Sequence, residues 1–313
     1  MNGKLKTAAK LLKENRSDIP YAVFRNITKL RWARIIPDEM YLKTAYKLAT
    51  GHTLHLENPQ TFNEKLQWLK LYDRRPEYVT MVDKYRVREY IAETIGEEYL
   101  IPLLGVWEKA SDIDFDALPD QFVLKCNHDS GSVIICKDKS KLDKRDTIRK
   151  LDRALGSSGY WFGREWPYKN VKPCVIAEKY MTDPSLDELR DYKFFCFNGE
   201  VKCFKVDFDR FTDHGANYYD REKNILPFGE ECCPPRYDKK ISFPSTVDKM
   251  IPLAERMSKG ISFLRVDFYS VDGKIYFGEL TFYPASGLGR FAPDEWDRVL
   301  GDWVCLPDKK VHY

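Results

Sequence analysis

Apolar positions change period part-way along this chain. In the first hundred residues they recur at helical spacing. Leu5, Ala8, Ala9 and Leu12, flanked by Lys4, Lys6, Lys10 and Lys13, predict a basic first helix. Val23, Phe24, Ile27, Leu30 and Arg34 predict a second, separated from the first by Asn15, Ser17 and Asp18. A third is expected to start after Pro37-Asp38 and to end near Thr50-Gly51. Thr61-Phe62-Asn63-Glu64 is a capping-box pattern that opens a helix through Trp68 and Leu71. Asp83-Lys84 opens another, carried by Val87, Ile91 and Ile95 and stopped by Gly96.

From Leu100 onward strand-like blocks dominate. They are Leu100 to Trp107, Phe122 to Cys126, Ser132 to Cys136, Cys174 to Glu178 and Tyr192 to Phe197. Asn198-Gly199 is a two-residue hairpin signal, and Val201 to Val206 returns from it. Helices are expected at Asp143 to Leu155 and Asp248 to Ser258. Long sheet-forming segments with few helices between them predict an α+β architecture.

The last hairpin is the most informative. Phe263 to Tyr269 and Tyr276 to Thr281 flank a turn at Asp272-Gly273. Arg265 and Asp267, two apart, share one strand face. A two-residue loop pairs Val271 with Lys274 and puts Glu279 on the opposite face. A three-residue loop pairs Arg265 with Glu279 and puts all three on one face. Two carboxylates and a guanidinium on an aromatic hairpin are costly to bury unless they bind something. A hard cation such as magnesium is the natural candidate, with a surface ion pair as the plain alternative.

Composition changes this picture little. The chain has 313 residues, a net charge of +3, 43% apolar and 32% charged residues. That is ordinary for a soluble globular protein and gives no sign of nucleic-acid binding. No run approaches the roughly 18 apolar residues that span a bilayer, and no secretory signal is evident, so a cytoplasmic protein is expected. The basic N-terminal helices are either a solvated face or a contact with an anionic membrane surface at its inner face. Five of the eight cysteines fall in apolar runs. With no C-x-x-C pair, a structural zinc site is not expected. A Cys232–His214 nucleophile pair has no support in its spacing.

Polar groups gather at three further places. Lys125 ends an apolar strand and is followed by Cys126-Asn127-His128-Asp129-Ser130-Gly131-Ser132. An ammonium beside a small glycine-containing turn suits phosphate, although an ordinary hairpin would look similar. Ile176-Ala177-Glu178-Lys179-Tyr180-Met181 is a strand that turns polar, suited to a purine edge and face. Asp183, Asp187 and Glu188 follow and suit ribose hydroxyls, and Asp191-Tyr192-Lys193 starts the next strand. Together with the hairpin these fit one nucleotide site.

That order of parts resembles the ATP-grasp superfamily, and within it the TupA-like (teichuronopeptide-biosynthesis-like) family. The resemblance rests on Thr61 to Lys70, Asp83-Lys84-Tyr85, Leu124 to His128, Ala177 to Tyr180, Asp191 to Phe195, Arg265-Val266-Asp267 and Phe277 to Phe282. It covers roughly Thr61 to Gly289. It implies an α+β, ATP-grasp fold in which two α+β lobes clamp ATP, preceded by an N-terminal helical extension. The implied divisions are 1–51 for the basic extension, 52–120 for the N-terminal region, 121–178 for the lid subdomain and 179–313 for the C-terminal subdomain with the metal hairpin. ATP and Mg2+ are the implied cofactors. Lys84, Lys125, Lys193 and the loop with Ser130, Gly131 and Ser132 would serve phosphates, with Glu178, Lys179, Tyr180 and Met181 as the adenine hinge and Asp187 near the ribose. Asp267, Glu279 and Thr281 would hold metal, and Arg265 would stabilise charge on the reacting carboxylate. Many superfamily members carry asparagine where Thr281 stands. His128 is either a proton carrier or a loop-ordering hydrogen-bonder.

The implied reaction is carboxylate–amine ligation through an acylphosphate, releasing ADP and phosphate. The implied partners are a small-molecule amine and a carboxylate-bearing saccharide or polysaccharide precursor of the cell surface. Trp161-Phe162, Trp166, Tyr168 and Tyr218-Tyr219, expected in loops, suit sugar stacking, although core aromatics would give the same count. The alternatives are an ATP-grasp-like sugar kinase, a non-catalytic binding protein of polysaccharide assembly, and a glycosyltransferase. For the last, three D-x-D matches at Asp112, Asp114 and Asp207 are near background.

Overall fold

The computed structural model describes residues 19–28, 30–183, 189–209 and 212–309. The first predicted helix, Asp187 and Glu188 lie outside these residues. The second predicted helix is shorter than its apolar spacing suggested, ending at Ile27 before a 3-10 turn over Arg31–Ile35. The third runs Asp38–Thr50 and stops at Gly51, whose φ of 80° is the left-handed cap that a side chain disfavours. The capping box forms as predicted, opening helix Phe62–Tyr72. The Glu64 carboxylate there accepts from the backbone of His55, Gln60 and Thr61, which lets a carboxylate sit buried at a helix start.

Among the described residues eleven strands follow, at Leu103–Trp107 (β1), Phe122–Cys126 (β2), Ile134–Cys136 (β3), Val175–Lys179 (β4), Asp191–Phe197 (β5), Glu200–Phe208 (β6), Gly215–Tyr219 (β7), Gly229–Glu230 (β8), Phe263–Val271 (β9), Lys274–Thr281 (β10) and Phe291–Ala292 (β11). They form a four-stranded sheet in the order β1-β4-β2-β3, a five-stranded sheet in the order β10-β9-β5-β6-β7, and a small β8–β11 pair. The smaller sheet packs Phe122, Leu124, Val175 and Ala177 against helix Lys144–Leu155 through Leu151. One face of the larger sheet, with Phe194, Phe204, Val266 and Phe268, is dry and lies on helix Thr246–Ser258. The other face carries charge.

Two expectations are corrected. Tyr218 and Tyr219 are not in a loop but in buried strand β7, and Tyr168 lies in a 3-10 turn over Trp166–Asn170. They are core and wall aromatics, not surface stacking platforms. The last hairpin does not have the three-residue loop that one-face geometry was argued to need. Val271 pairs with Lys274, and Asp272 and Gly273 both have positive φ, as a two-residue turn requires. A β-bulge restores the phase. Phe277 pairs with Phe268 and Glu279 with Asp267, so Gly278 is the extra residue. A Cβ on Gly278 would lie 3.1 Å from the Asp267 carbonyl oxygen, a reason for glycine there.

Candidate active site

The bulge places Glu279 beside Asp267 on the charged face. Arg265 binds both. Its Nε and Nη2 each lie 2.7 Å from an Asp267 oxygen, and Nη2 lies 2.8 Å from Glu279 Oε1. Lys193 stands directly across from Asp267 on the neighbouring strand, with Nζ 2.9 Å from Oδ2. It also bonds Asp191 and lies 3.8 Å from Asp207. Lys205 continues the line, 3.8 Å from Asp207 and 2.6 Å from Glu230. Thr281 Oγ1 is 3.5 Å from Glu279 Oε1.

Burial alone would push the Lys193 ammonium down, but Asp191 and Asp267 hold it above its ordinary value. Burial would likewise push the Glu279 carboxyl up. Arg265, Lys84 and Lys193 outweigh it and leave Glu279 below the usual carboxylate value. Among the described residues, the bonded network joins Glu279, Asp267, Asp191, Asp207 and Glu230 to Arg265, Lys193 and Lys205. The paired carboxylate oxygens of Asp267 and Glu279 are the donor type a hard divalent cation takes.

Across a cleft from this cluster lies the smaller sheet. The cleft is lined by Lys84, Arg88, Lys125, Tyr168, Glu178 and Glu279, with Met81, Ile101 and Phe277 as apolar walls. Lys125 Nζ is 2.6 Å from Glu178 Oε2, and Arg88 reaches the same carboxylate at 3.8 Å. Lys84 bonds the Asp129 carbonyl at the base of the predicted phosphate loop, and burial lowers its pKa. Ser130 and Gly131 form the exposed tip of that loop. Ser132 is tied back, accepting from the Cys126 N–H at 2.8 Å and donating to Asp129 at 2.5 Å.

The structure does not bring every predicted residue to this cleft. His128 is buried and turned inward. Its Nε2 lies 3.2 Å from the carbonyls of Ala154 and Ser157, and its Nδ1 3.3 Å from Asn127. That geometry suits the loop-ordering role. Strand β4 is not a free edge, since β1 and β2 flank it and the Lys179 N–H donates to Pro102. Lys179 and Tyr180 line a separate groove with Leu104, Asp120 and Lys137. Arg88, Tyr168, Asp191, Lys205 and Asp207 are given no role at this site by the sequence. For three of them a signal existed. Asp191-x-Lys193 and Lys205-x-Asp207 repeat the same-face spacing of Arg265-x-Asp267.

Two α+β layers that face each other across a lysine-lined cleft, with an acid-bearing hairpin on one side, define an ATP-grasp fold. The sequence matches the TupA-like ATPgrasp family over residues 64–305, and the chain belongs to that family. No curated protein matches it. Among solved structures it is similar to a D-alanine–D-alanine ligase from Bacillus anthracis complexed with ATP, at 17% identity and a TM-score of 0.41, covering 72% of this chain and 63% of that one. It is also similar to an L-amino acid ligase from Bacillus licheniformis, at 14% identity and a TM-score of 0.42, covering 88% of this chain and 57% of that one. The chain thus spans less than two thirds of the length of either ligase.

Proposed function

We propose that the protein is an ATP-dependent carboxylate–amine ligase that acts on a cell-surface saccharide or its precursor. The observation that carries the reading is the Arg265–Asp267–Glu279–Lys193 cluster, whose Glu279 lines one cleft with Lys84 and Lys125. Phosphoryl transfer asks little of a protein beyond positioning and countercharge, and this arrangement supplies both. Lys84 and Lys125 bind phosphate oxygens from one side and Lys193 from the other. Glu178 holds Lys125 in place. Asp267 and Glu279, with Thr281 beside them, would hold magnesium, which offsets phosphate charge when bound.

A substrate carboxylate oxygen attacks the γ-phosphorus, and ADP leaves. The amine nitrogen then attacks the acyl carbon, the carbon–oxygen bond to phosphate breaks, and the amine gives up its proton. Arg265 donates to the oxyanion that forms in between. The acceptor is a uronic acid or similar carboxylate, as the family name suggests, and the donor is an amino acid or similar amine. Among the described residues no helix is long and apolar enough to cross a membrane. Val23, Ile27, Leu30 and Ile35 are exposed near the basic N-terminus, which suits peripheral contact with the inner membrane face.

Product analysis tests the reading. The protein is incubated with ATP, magnesium, a panel of amino acids and uronic-acid acceptors. ADP and inorganic phosphate should appear in equal amounts, dependent on both substrates, with a product heavier by an amino acid less one water. A product heavier by one phosphate, with no free phosphate, would replace the ligase with a kinase.

A further inference from the structure

Beyond Lys193 the charged sheet face carries a second cluster of different chemistry. Asp207 on β6, His214 just before β7 and Cys233 just after β8 converge from three segments. Their ligating atoms all lie within 4.8 Å of one another. His214 Nε2 is 3.0 Å from Asp207 Oδ1. Asp207 and Cys233 are buried, whereas the His214 side chain is 40% exposed. Cys233 is held in place by its own backbone, whose N–H donates to the Glu230 carbonyl.

We propose that Asp207, His214 and Cys233 form a binding site for a soft divalent cation of the zinc class, with a fourth position open beside the exposed imidazole. Carboxylate, imidazole and thiolate are together a zinc donor set, and three protein ligands with one open position is the arrangement of a reactive site rather than a closed structural one. Bonds of about 2.0–2.3 Å at tetrahedral angles put donor atoms roughly 3.3–3.8 Å apart, so only small closure of the cluster is needed. The thiolate disfavours magnesium or calcium, so this site and the all-oxygen site at Asp267 and Glu279 select different ions.

The surrounding charges permit it. Lys205 makes its short contact, 2.6 Å, with Glu230, and only long ones, 3.8 Å and 4.0 Å, with Asp207 and Cys233. Binding as thiolate gives up the 3.2 Å hydrogen bond from the Cys233 thiol to Glu230 Oε2 and leaves the Lys205–Glu230 pair intact. The Tyr218 hydroxyl, opposite Lys205 in the sheet, is buried with no hydrogen-bond partner among the described residues. Lys205 Nζ, 4.0 Å from the Cys233 thiol, lies 5.9 Å from the centre of the Tyr218 ring. A buried donor left unpaired beside these ligands is a second sign that something binds there. The site had little trace in the sequence, since 207, 214 and 233 follow no metal spacing. It does not depend on the ligase reading.

The test uses the full chain, stripped of metal, with magnesium in excess to fill the hard site, titrated with Co2+ alone. One equivalent should bind with tetrahedral d–d absorption and a sulfur-to-metal charge-transfer band, both displaced by zinc. Cys233→Ser should lose the charge-transfer band. His214→Gln, at a half-exposed position that tolerates change, should weaken binding at least tenfold even if Cys233→Ser misfolds. Cys232→Ser should leave both bands in place. Absence of the charge-transfer band in the unaltered protein would overturn the proposal. So would binding that survives His214→Gln unchanged and is lost in Cys232→Ser, because Cys233 would then be ligating with Glu230 and Cys232 instead.

Discussion

Lys193 and Asp267 face each other across the β5–β9 ladder, with Nζ 2.9 Å from Oδ2 in a buried site. Removing Lys193 leaves buried Asp267 with Arg265 alone and takes one cation from a desolvated cluster. Lys193→Met should therefore cost about 3–5 kcal/mol of stability without metal. Magnesium, which would then meet one competing cation fewer, should restore part of it by binding the folded state. Urea melts with and without magnesium check this. Equal destabilisation in both conditions would argue against metal at Asp267.

Lys125 stands in a different position. It pairs with Glu178 at the wall of the cleft, where Arg88 also reaches the carboxylate. Lys125→Met should therefore stay folded yet lose most ATP turnover. Circular dichroism and ADP release would show the split. Normal turnover in a folded variant would return Lys125 to an ordinary structural ion pair.

Arg265 binds both acids of the hairpin. If it acts as one oxyanion donor, Arg265→Ala should lower the chemical step by about 10²–10³-fold, or roughly 2.7–4 kcal/mol. Its loss also removes the cation that competes for Asp267 and Glu279, so magnesium affinity should hold or rise. Single-turnover rates and a magnesium titration measure the two effects separately. A large fall in metal affinity would contradict the geometry.

How much of this was legible in the sequence depends on how local each cause is. The capping box at Thr61, the stop at Gly51 and the Asn198-Gly199 turn are fixed by neighbours in the chain, and each forms as expected. Strand β7 was missed because Asp209, Thr212, Asp213, His214 and Asn217 make its surroundings read as loop, while burial under Phe228 and Phe243 makes it strand. The lysines, Asp267 and Glu279 were legible as types, but their partners were not. Lys193 to Asp267 spans two strands, Arg88 to Glu178 joins a helix to the smaller sheet, and neither has a sequence spacing to follow.

Glu279 gives a pH test with a definite sign. Its carboxyl is held below the ordinary value of 4.5, because Arg265, Lys84 and Lys193 outweigh the burial that would raise it. The unfolded chain therefore takes up the proton first as pH falls. The stabilisation is present above the ordinary value and is lost as pH drops through the lower folded one. The urea midpoints of the unaltered protein and Glu279→Gln should differ by a constant amount near neutrality and converge in acid below 4.5. A gap that widens in acid would reverse the assignment.

Thiol chemistry separates the cysteines. Contact with the Cys233 thiol holds the exposed Cys232 thiol below its ordinary value, while burial pushes Cys196 up to about 12. Thiolate is the reactive form, so Cys232 should be alkylated fastest at pH 7.5, at a rate that rises through neutrality. Cys196 should react only after unfolding. Peptide mass mapping after a short iodoacetamide pulse reads the order, and equal labelling of both would contradict it.

The extra residue at Gly278 has one more consequence. Deleting it would leave Glu279 still next in line for Asp267, Leu280 for Val266 and Thr281 for Arg265. The pairings do not need it. What it adds is curvature, since a bulge bends its strand and tightens the local twist. A chain shortened there would keep every partner on a straighter strand.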